Sequence, residues 1–442
     1  MNLTQFLKKQ GLSQGDFVKV DSSKGKLEGF IIPSTDSNIL ALKLNSGYNT
    51  GILIKNIKAI EKTGESREVS KGKKLSFEAK ENLPTVSILN VGGTITSRIN
   101  YKYGGVITDF NTEDLLSMYP ELTKLANIRG VMVSQIMSED ILMPHYKKMC
   151  TAIEEEVKKG IKGIIVTHGT DNLGVTAAAL SFALHDINVP VLLVGSQRSP
   201  DRGSSDAAMN LLCAAKFITE TDFVGVASCM HASTSDDNCL IIEGTRVRKM
   251  HTSRRDAFKS INDIPVASVD YRTGNINYFK KDYSKKNNSR KLEVKSNFDL
   301  KVGLLKTHIN MVPEQFLLFK KLKYRGLVIE GTGLGHMPAT SKENEKNLKA
   351  IKELIKAGLI VASTSATIFG RVHPDVYVNL RKLSNEGVIF AEDMFAETAH
   401  IKLSWLLANY KKEEAEKLFT QNLRGEISAF TSIKAPFIED FK

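Results

Sequence analysis

The chain has 442 residues, is 42% hydrophobic and 25% charged, and carries a net charge of +12. That length exceeds one ordinary core, so two or three domains are expected, and the balance excludes disordered and fibrous classes. No apolar run approaches the roughly eighteen residues of a membrane span, and Met1 to Lys9 lacks the charged-then-apolar order of a secretory signal, so a cytoplasmic protein away from membranes is expected.

Residues 1–75 read as a separate unit. Short apolar runs at Phe17–Val20, Lys26–Ile32, Ile39–Leu44 and Thr50–Ile54 are divided by turn clusters rich in Ser, Gly, Asn and Pro. Such close spacing predicts a small β-barrel. Residues 1–80 hold fourteen Lys/Arg against eight Asp/Glu, half of the excess charge of the whole chain. A basic segment of this kind either attracts nucleic acid or is simply a solvated surface. Lys62–Glu81 is charged, has no sustained apolar period and reads as a linker.

From Leu83 onward strands alternate with helices. Strands are predicted at Thr85–Asn90, Gly163–Thr167, Pro190–Gly195, Phe223–Ser228 and Leu240–Glu243, and helices at Ile141–Lys159 and Ser204–Ile218. This alternation predicts an α/β lobe over residues 83–285, with a parallel sheet covered by helices on both faces. The Lys- and Asn-rich stretch Asn275–Lys295 reads as a second linker or a surface excursion. Beyond it, Val302–Leu305, Gly326–Glu330, Leu359–Thr364 and Val388–Ala391 repeat the pattern, predicting a second α/β lobe over residues 298–442. Gly331-Thr332-Gly333-Leu334-Gly335 follows one of these strands. It is either a plain β–α turn or a segment reaching a site across an interface.

Two turns carry the chemistry. Val91-Gly92-Gly93-Thr94-Ile95 and Thr167-His168-Gly169-Thr170-Asp171-Asn172 each follow an apolar strand and each contain a threonine. In an open parallel sheet ligands bind beyond the carboxyl ends of the strands, where both turns fall. Gly92-Gly93 allows close backbone approach, and the amides beyond each turn can face a carboxylate or an oxyanion. A threonine hydroxyl needs a base before it attacks. No histidine is spaced for that role, and His168 reads as structural. Lys249 is the candidate base, within the cationic run Arg246–Asp256, where neighbouring arginines would help hold it neutral and Asp171 would orient it. A plain basic surface loop is the competing reading of that run. Cys150, Cys213, Cys229 and Cys239 match no CxxC spacing and no HExxH is present, so inert thiols and no metal are expected.

Taken together, these motifs resemble the L-asparaginase/glutaminase family over roughly residues 84–430. The resemblance implies an asparaginase-like two-lobe α/β fold. It implies that Thr94 forms an acyl-enzyme, that Thr170, Asp171 and Lys249 act as a group, and that Tyr101, followed by Gly104, assists from a mobile loop. Ser138-Glu139-Asp140 matches the segment holding the substrate's α-amino and α-carboxylate groups, with Gly93 and Gly169 beside it. Val91, Thr96 and Asn172 depart from the family's usual threonine, small residue and threonine, so packing or substrate preference is expected to differ.

A narrower similarity lies in Gly195–Ala208 and Arg246–Phe258, which resemble the GatD family of archaeal Glu-tRNA(Gln) amidotransferases. An extra N-terminal β domain fits it too. This resemblance implies a glutaminase that passes ammonia to a partner, GatE. The partner would amidate Glu-tRNA(Gln) using ATP and Mg, with no cofactor on this chain. A homodimer core giving a heterotetramer is implied as well. A free-standing asparaginase would use the same residues, and a non-catalytic RNA-binding scaffold would need none of them.

Overall fold

The structure, a computed structural model, describes residues 2–23, 25–32, 34, 36–44, 49–63, 80–93, 95, 97–100, 105–108, 119–200 and 204–431. Thr94, Thr96, Tyr101, Gly104 and residues 201–203 lie outside the described residues.

The N-terminal unit is a five-stranded antiparallel sheet in the order Asn49–Leu53, Ile39–Leu44, Gly25–Ile32, Phe17–Ser22, Ile57–Lys62. Val18, Val20, Ile31, Leu40 and Leu42 alternate inward, as a half-buried sheet requires. A helix at Leu3–Lys9 adds Leu3, Phe6 and Leu7 to this core. Its start is set by Asn2, whose side chain caps the Gln5 amide while Gln5 reaches back. The fifth strand was not expected. Its burial pattern is weak, with exposed residues predominating, so it carries little period-two signal.

The central sheet has eight strands, in the order Ile276–Tyr278, Ala267–Asp270, Asn238–Glu243, Gly225–His231, Pro190–Val194, Gly163–Thr167, Thr85–Asn90, Asn127–Met132. The five strands from Asn127–Met132 to Gly225–His231 run parallel. The remaining three join antiparallel, which corrects the expectation of a wholly parallel sheet. The cause is connection length: only six residues separate Gly225–His231 from Asn238–Glu243, enough for a hairpin and too few for a crossover. The Asn275–Lys295 stretch is a surface excursion. It supplies the edge strand and then pairs Glu293–Val294 with Leu184–His185.

The C-terminal sheet is parallel and in sequence order: Val302–Lys306, Gly326–Gly331, Ile360–Ser365, Ile389–Phe390. Helix Leu173–Ala183 is apolar on nearly every side and buried, as a helix sandwiched between layers must be. It packs on helix Ala396–Asn409, where Phe182 stacks on Trp405 at 5.7 Å. One hydrophobic cluster therefore runs from Leu89 and Val166 in the central sheet to Val328 and Ile360 in the C-terminal sheet. Thr332–His336 forms a tight turn closed by an antiparallel bridge, with Thr332 N–H donating to the His336 carbonyl.

Candidate active site

Strand Gly163–Thr167 and helix Leu173–Ala183 are joined by a turn of five residues, His168–Asn172. Strand Thr85–Asn90 lies beside it in parallel, with Asn90 opposite Thr167, so the Gly92-Gly93 turn leaves the sheet at the same end. The Asn90 carboxamide orders this departure: Oδ1 accepts from the Gly92 amide at 3.0 Å and from the Thr167 hydroxyl at 3.3 Å. This role was missed in the sequence, although an Asn two residues before a glycine is a readable turn signal.

The two turns touch backbone to backbone. Gly93 has φ +83, and a β-carbon there would fall 2.2 Å from the Gly169 nitrogen. A β-carbon on Gly169 would in turn fall 2.7 Å from the Ser138 hydroxyl oxygen. Gly93, Gly169 and Ser138 thus form one contiguous wall in which no larger residue fits at either glycine. Ser138 is buried, and Glu139 beside it is exposed. Asn172 donates from Nδ2 to the Ser138 carbonyl at 2.8 Å, which gives a structural account of that departure from the family pattern. Val91 is a core residue, and its carbonyl accepts from the Ile136 amide and the Ser134 hydroxyl.

Lys249 reaches this wall from the hairpin Val247–Lys249 and Phe258–Ser260. The hairpin strand lies against helix Leu173–Ala183 at Gly174, where a β-carbon would meet the Val247 carbonyl at 2.6 Å. That close approach brings Lys249 Nζ to 2.9 Å from Thr170 Oγ1 and 2.8 Å from Asp171 Oδ1. The Lys249 and Thr170 side chains are largely withdrawn from solvent, whereas Asp171 is open to it. The ammonium or amine is therefore held between a hydroxyl and a carboxylate, the arrangement a proton-handling group needs.

Every arginine of the cationic run has an acidic partner. Arg246 is paired with Asp393, Arg248 with Glu397, Arg254 with Asp256 and Arg255 with Asp236. Each guanidinium is thus engaged by its own acid. Two of these acids come from the C-terminal lobe, and the run thereby serves as a latch between lobes. Asn262, at φ +58, completes that latch by donating to the Asp393 carbonyl at 2.8 Å.

His168 is fully buried. Its Nδ1–H donates to the Gly169 carbonyl at 2.7 Å, and Nε2 accepts from the Thr176 hydroxyl at 2.9 Å. Burial pushes its pKa down to about 4, so it stays neutral and shapes the turn. Three of the four cysteines, Cys213, Cys229 and Cys239, are buried neighbours, and burial raises the thiols of Cys229 and Cys239.

Three family descriptions match this chain: "Asparaginase, N-terminal" over residues 85–283, "Glutaminase/Asparaginase C-terminal domain" over 301–419 and "GatD N-terminal domain" over 12–62. The GatD protein of the glutamyl-tRNA(Gln) amidotransferase of Pyrococcus furiosus is 41% identical over 98% of each chain. That of Thermococcus kodakarensis is 42% identical over 97% of each. Among solved structures, the thermostable L-asparaginase from Thermococcus kodakarensis superposes with a TM-score of 0.69 at 27% identity. It covers 78% of this chain and 99% of its own. With relatives matched from end to end and the N-terminal β domain among the matches, the chain belongs to the GatD family of glutamyl-tRNA(Gln) amidotransferases.

Proposed function

We propose that this chain is the glutaminase component of a tRNA-dependent amidotransferase, releasing ammonia from glutamine so that a partner converts Glu-tRNA(Gln) to Gln-tRNA(Gln). The observation that carries the reading is Lys249 Nζ bonded to both Thr170 and Asp171, beside the Gly93–Gly169 wall, in a chain that also has the N-terminal β domain.

The Thr94 oxygen attacks the carboxamide carbon of glutamine, and the oxyanion that develops is met by backbone amides at the turns. The C–N bond breaks and ammonia departs with the proton taken from the Thr94 hydroxyl, relayed by the Thr170–Lys249–Asp171 group. Water then attacks the ester, and glutamate leaves with the threonine restored. Ser138 and Glu139, with Gly93 and Gly169, hold the α-amino and α-carboxylate groups, while Tyr101 assists the reaction.

The partner is GatE, which supplies the ATP and Mg chemistry; no cofactor is needed on this chain. The working assembly is a homodimer core carrying two GatE chains, in the cytoplasm. Among the described residues no helix is long and apolar enough to cross a membrane.

The test is ammonia release from glutamine and from asparagine, by the chain alone and then with the partner and Glu-tRNA(Gln). Strong stimulation by both is expected. Full activity of the lone chain, indifferent to partner and tRNA, would overturn the amidotransferase reading in favour of a self-sufficient amidohydrolase.

A further inference from the structure

The turn Gly195–Ser199 leaves strand Pro190–Val194 next to the candidate site. A β-carbon on Gly195 would fall 2.9 Å from Thr170 Cγ2 and 3.0 Å from the His168 carbonyl, so the turn is the surface on which Thr170 rests. What holds the turn is a buried polar cluster behind it. Asp206 accepts from the Gln197 amide at 3.0 Å and the Arg198 amide at 3.1 Å. Asn210 donates from Nδ2 to the Gly195 carbonyl at 3.0 Å. Its Oδ1 accepts from His231 Nδ1 at 2.6 Å and from the Cys239 thiol at 3.3 Å. Both Asp206 and Asn210 sit in the opening turn of helix Ala207–Glu220, and Asn210 and His231 are wholly buried.

Ser196 Oγ, Gln197 Nε2 and Ser199 Oγ are buried with no hydrogen-bond partner among the described residues. The turn's shape is set from behind, by the side chains that take up its backbone groups.

We infer that Asn210, itself oriented by His231, is a positioning residue for catalysis: it fixes the Gly195 turn and so the placement of Thr170 against Lys249. This rests on the reading of Thr170 and Lys249 as the proton-handling pair. His231 fits the role because its ring bridges two elements. While Nδ1 faces Asn210, Nε2 lies 3.3 Å from Asp236, which is paired with Arg255 of the cationic run. The Gly195 carbonyl can only accept, so Asn210 turns Nδ2 to the turn and Oδ1 to His231, whose Nδ1–H then donates to it.

The experiment compares glutaminase kcat and KM, with melting temperature, for Asn210→Ala, Ile218→Ala, His231→Gln and His231→Leu in the full-length chain assayed with its partner. Ile218 is buried in the same helix, away from the turn. Asn210→Ala is expected to lower kcat by about 10²-fold, the scale of an ångström-level misplacement, with KM little changed. Ile218→Ala should melt earlier yet keep both constants. His231→Gln, which keeps a donor for Asn210, should retain more of kcat than His231→Leu.

Wild-type kcat in Asn210→Ala, or an equal kcat loss in Ile218→Ala, would overturn the inference. If Asn210→Ala does not fold, the His231 pair decides: equal losses in Gln and Leu overturn it, and a clear difference supports it. Lys249→Ala runs alongside, and retained activity there would sink the reading of the Thr170–Lys249 pair independently of the Asn210 result.

Discussion

Arg246 and Asp393 form an ion pair in which neither side chain reaches solvent, with Nη1 3.0 Å from Oδ2, and the pair ties the central lobe to the C-terminal lobe. The other two guanidinium nitrogens also donate: Nε to the Gly425 carbonyl and Nη2 to the Ser428 hydroxyl, both at 2.7 Å. Asp393 in turn accepts from the Ser428 amide. Removing one partner strands a buried charge, so Arg246→Ala is expected to cost about 3–5 kcal/mol of stability. Arg248→Ala breaks a partly exposed pair with Glu397 and should cost no more than about 1 kcal/mol. Denaturant unfolding of both variants checks the contrast.

Lys249→Ala should reduce glutaminase turnover by about 10²–10⁴-fold, the usual contribution of a positioned acid or base. Lys249→Arg should be no better, because a guanidinium does not release its proton in this range. Both variants should keep the wild-type circular dichroism, since the side-chain bonds of Lys249 go to the turn it serves. Near-normal ammonia release by either variant would remove Lys249 from the mechanism.

Asn172 tests the departure from the family pattern. Its bond to the Ser138 carbonyl fixes the segment assigned to the substrate's α-groups. Asn172→Ala is expected to raise KM for glutamine about fivefold, equivalent to about 1 kcal/mol for one lost hydrogen bond. Asn172→Asp, which cannot donate at neutral pH, should match it, with kcat little altered in both. Steady-state kinetics that showed kcat falling while KM held would contradict this assignment.

The pH dependence of stability follows from His168. Burial lowers its folded pKa to about 4 from an ordinary 6.5. Between those values the unfolded chain binds a proton that the folded chain does not. Its contribution to stability is therefore full above pH 6.5 and is lost as pH falls towards 4, by on the order of 3 kcal/mol. His231 and His400, also lowered chiefly by burial, add to stability with the same sign. Chemical denaturation of wild type and His168→Gln across that window should show a shallower decline in the variant.

Much of the architecture was legible before the fold was known. The strands Thr85–Asn90, Gly163–Thr167 and Pro190–Val194 are short apolar runs ended by glycine-bearing turns, and such runs are buried on both faces whatever surrounds them. The edge strands Asn127–Met132 and Ile276–Tyr278 were not legible, because half-exposed residues there give no clear alternation.

The residue types of the candidate site were set by the sequence: the threonine turns and Asp171 follow strands at the end where a parallel sheet presents its ligands, and Lys249 stands in the cationic run. Their meeting was decided by tertiary structure. Lys249 lies 79 residues from Thr170 and arrives only because Gly174 lets the hairpin close on the helix. The same holds for the charges: the run Arg246–Asp256 reads as one basic patch, yet three of its four arginines are consumed by acids drawn from other segments, two of those acids in the far lobe. Local pattern records what each segment must bury. Which groups then neutralise one another depends on contacts between residues far apart in the chain, which no local periodicity encodes.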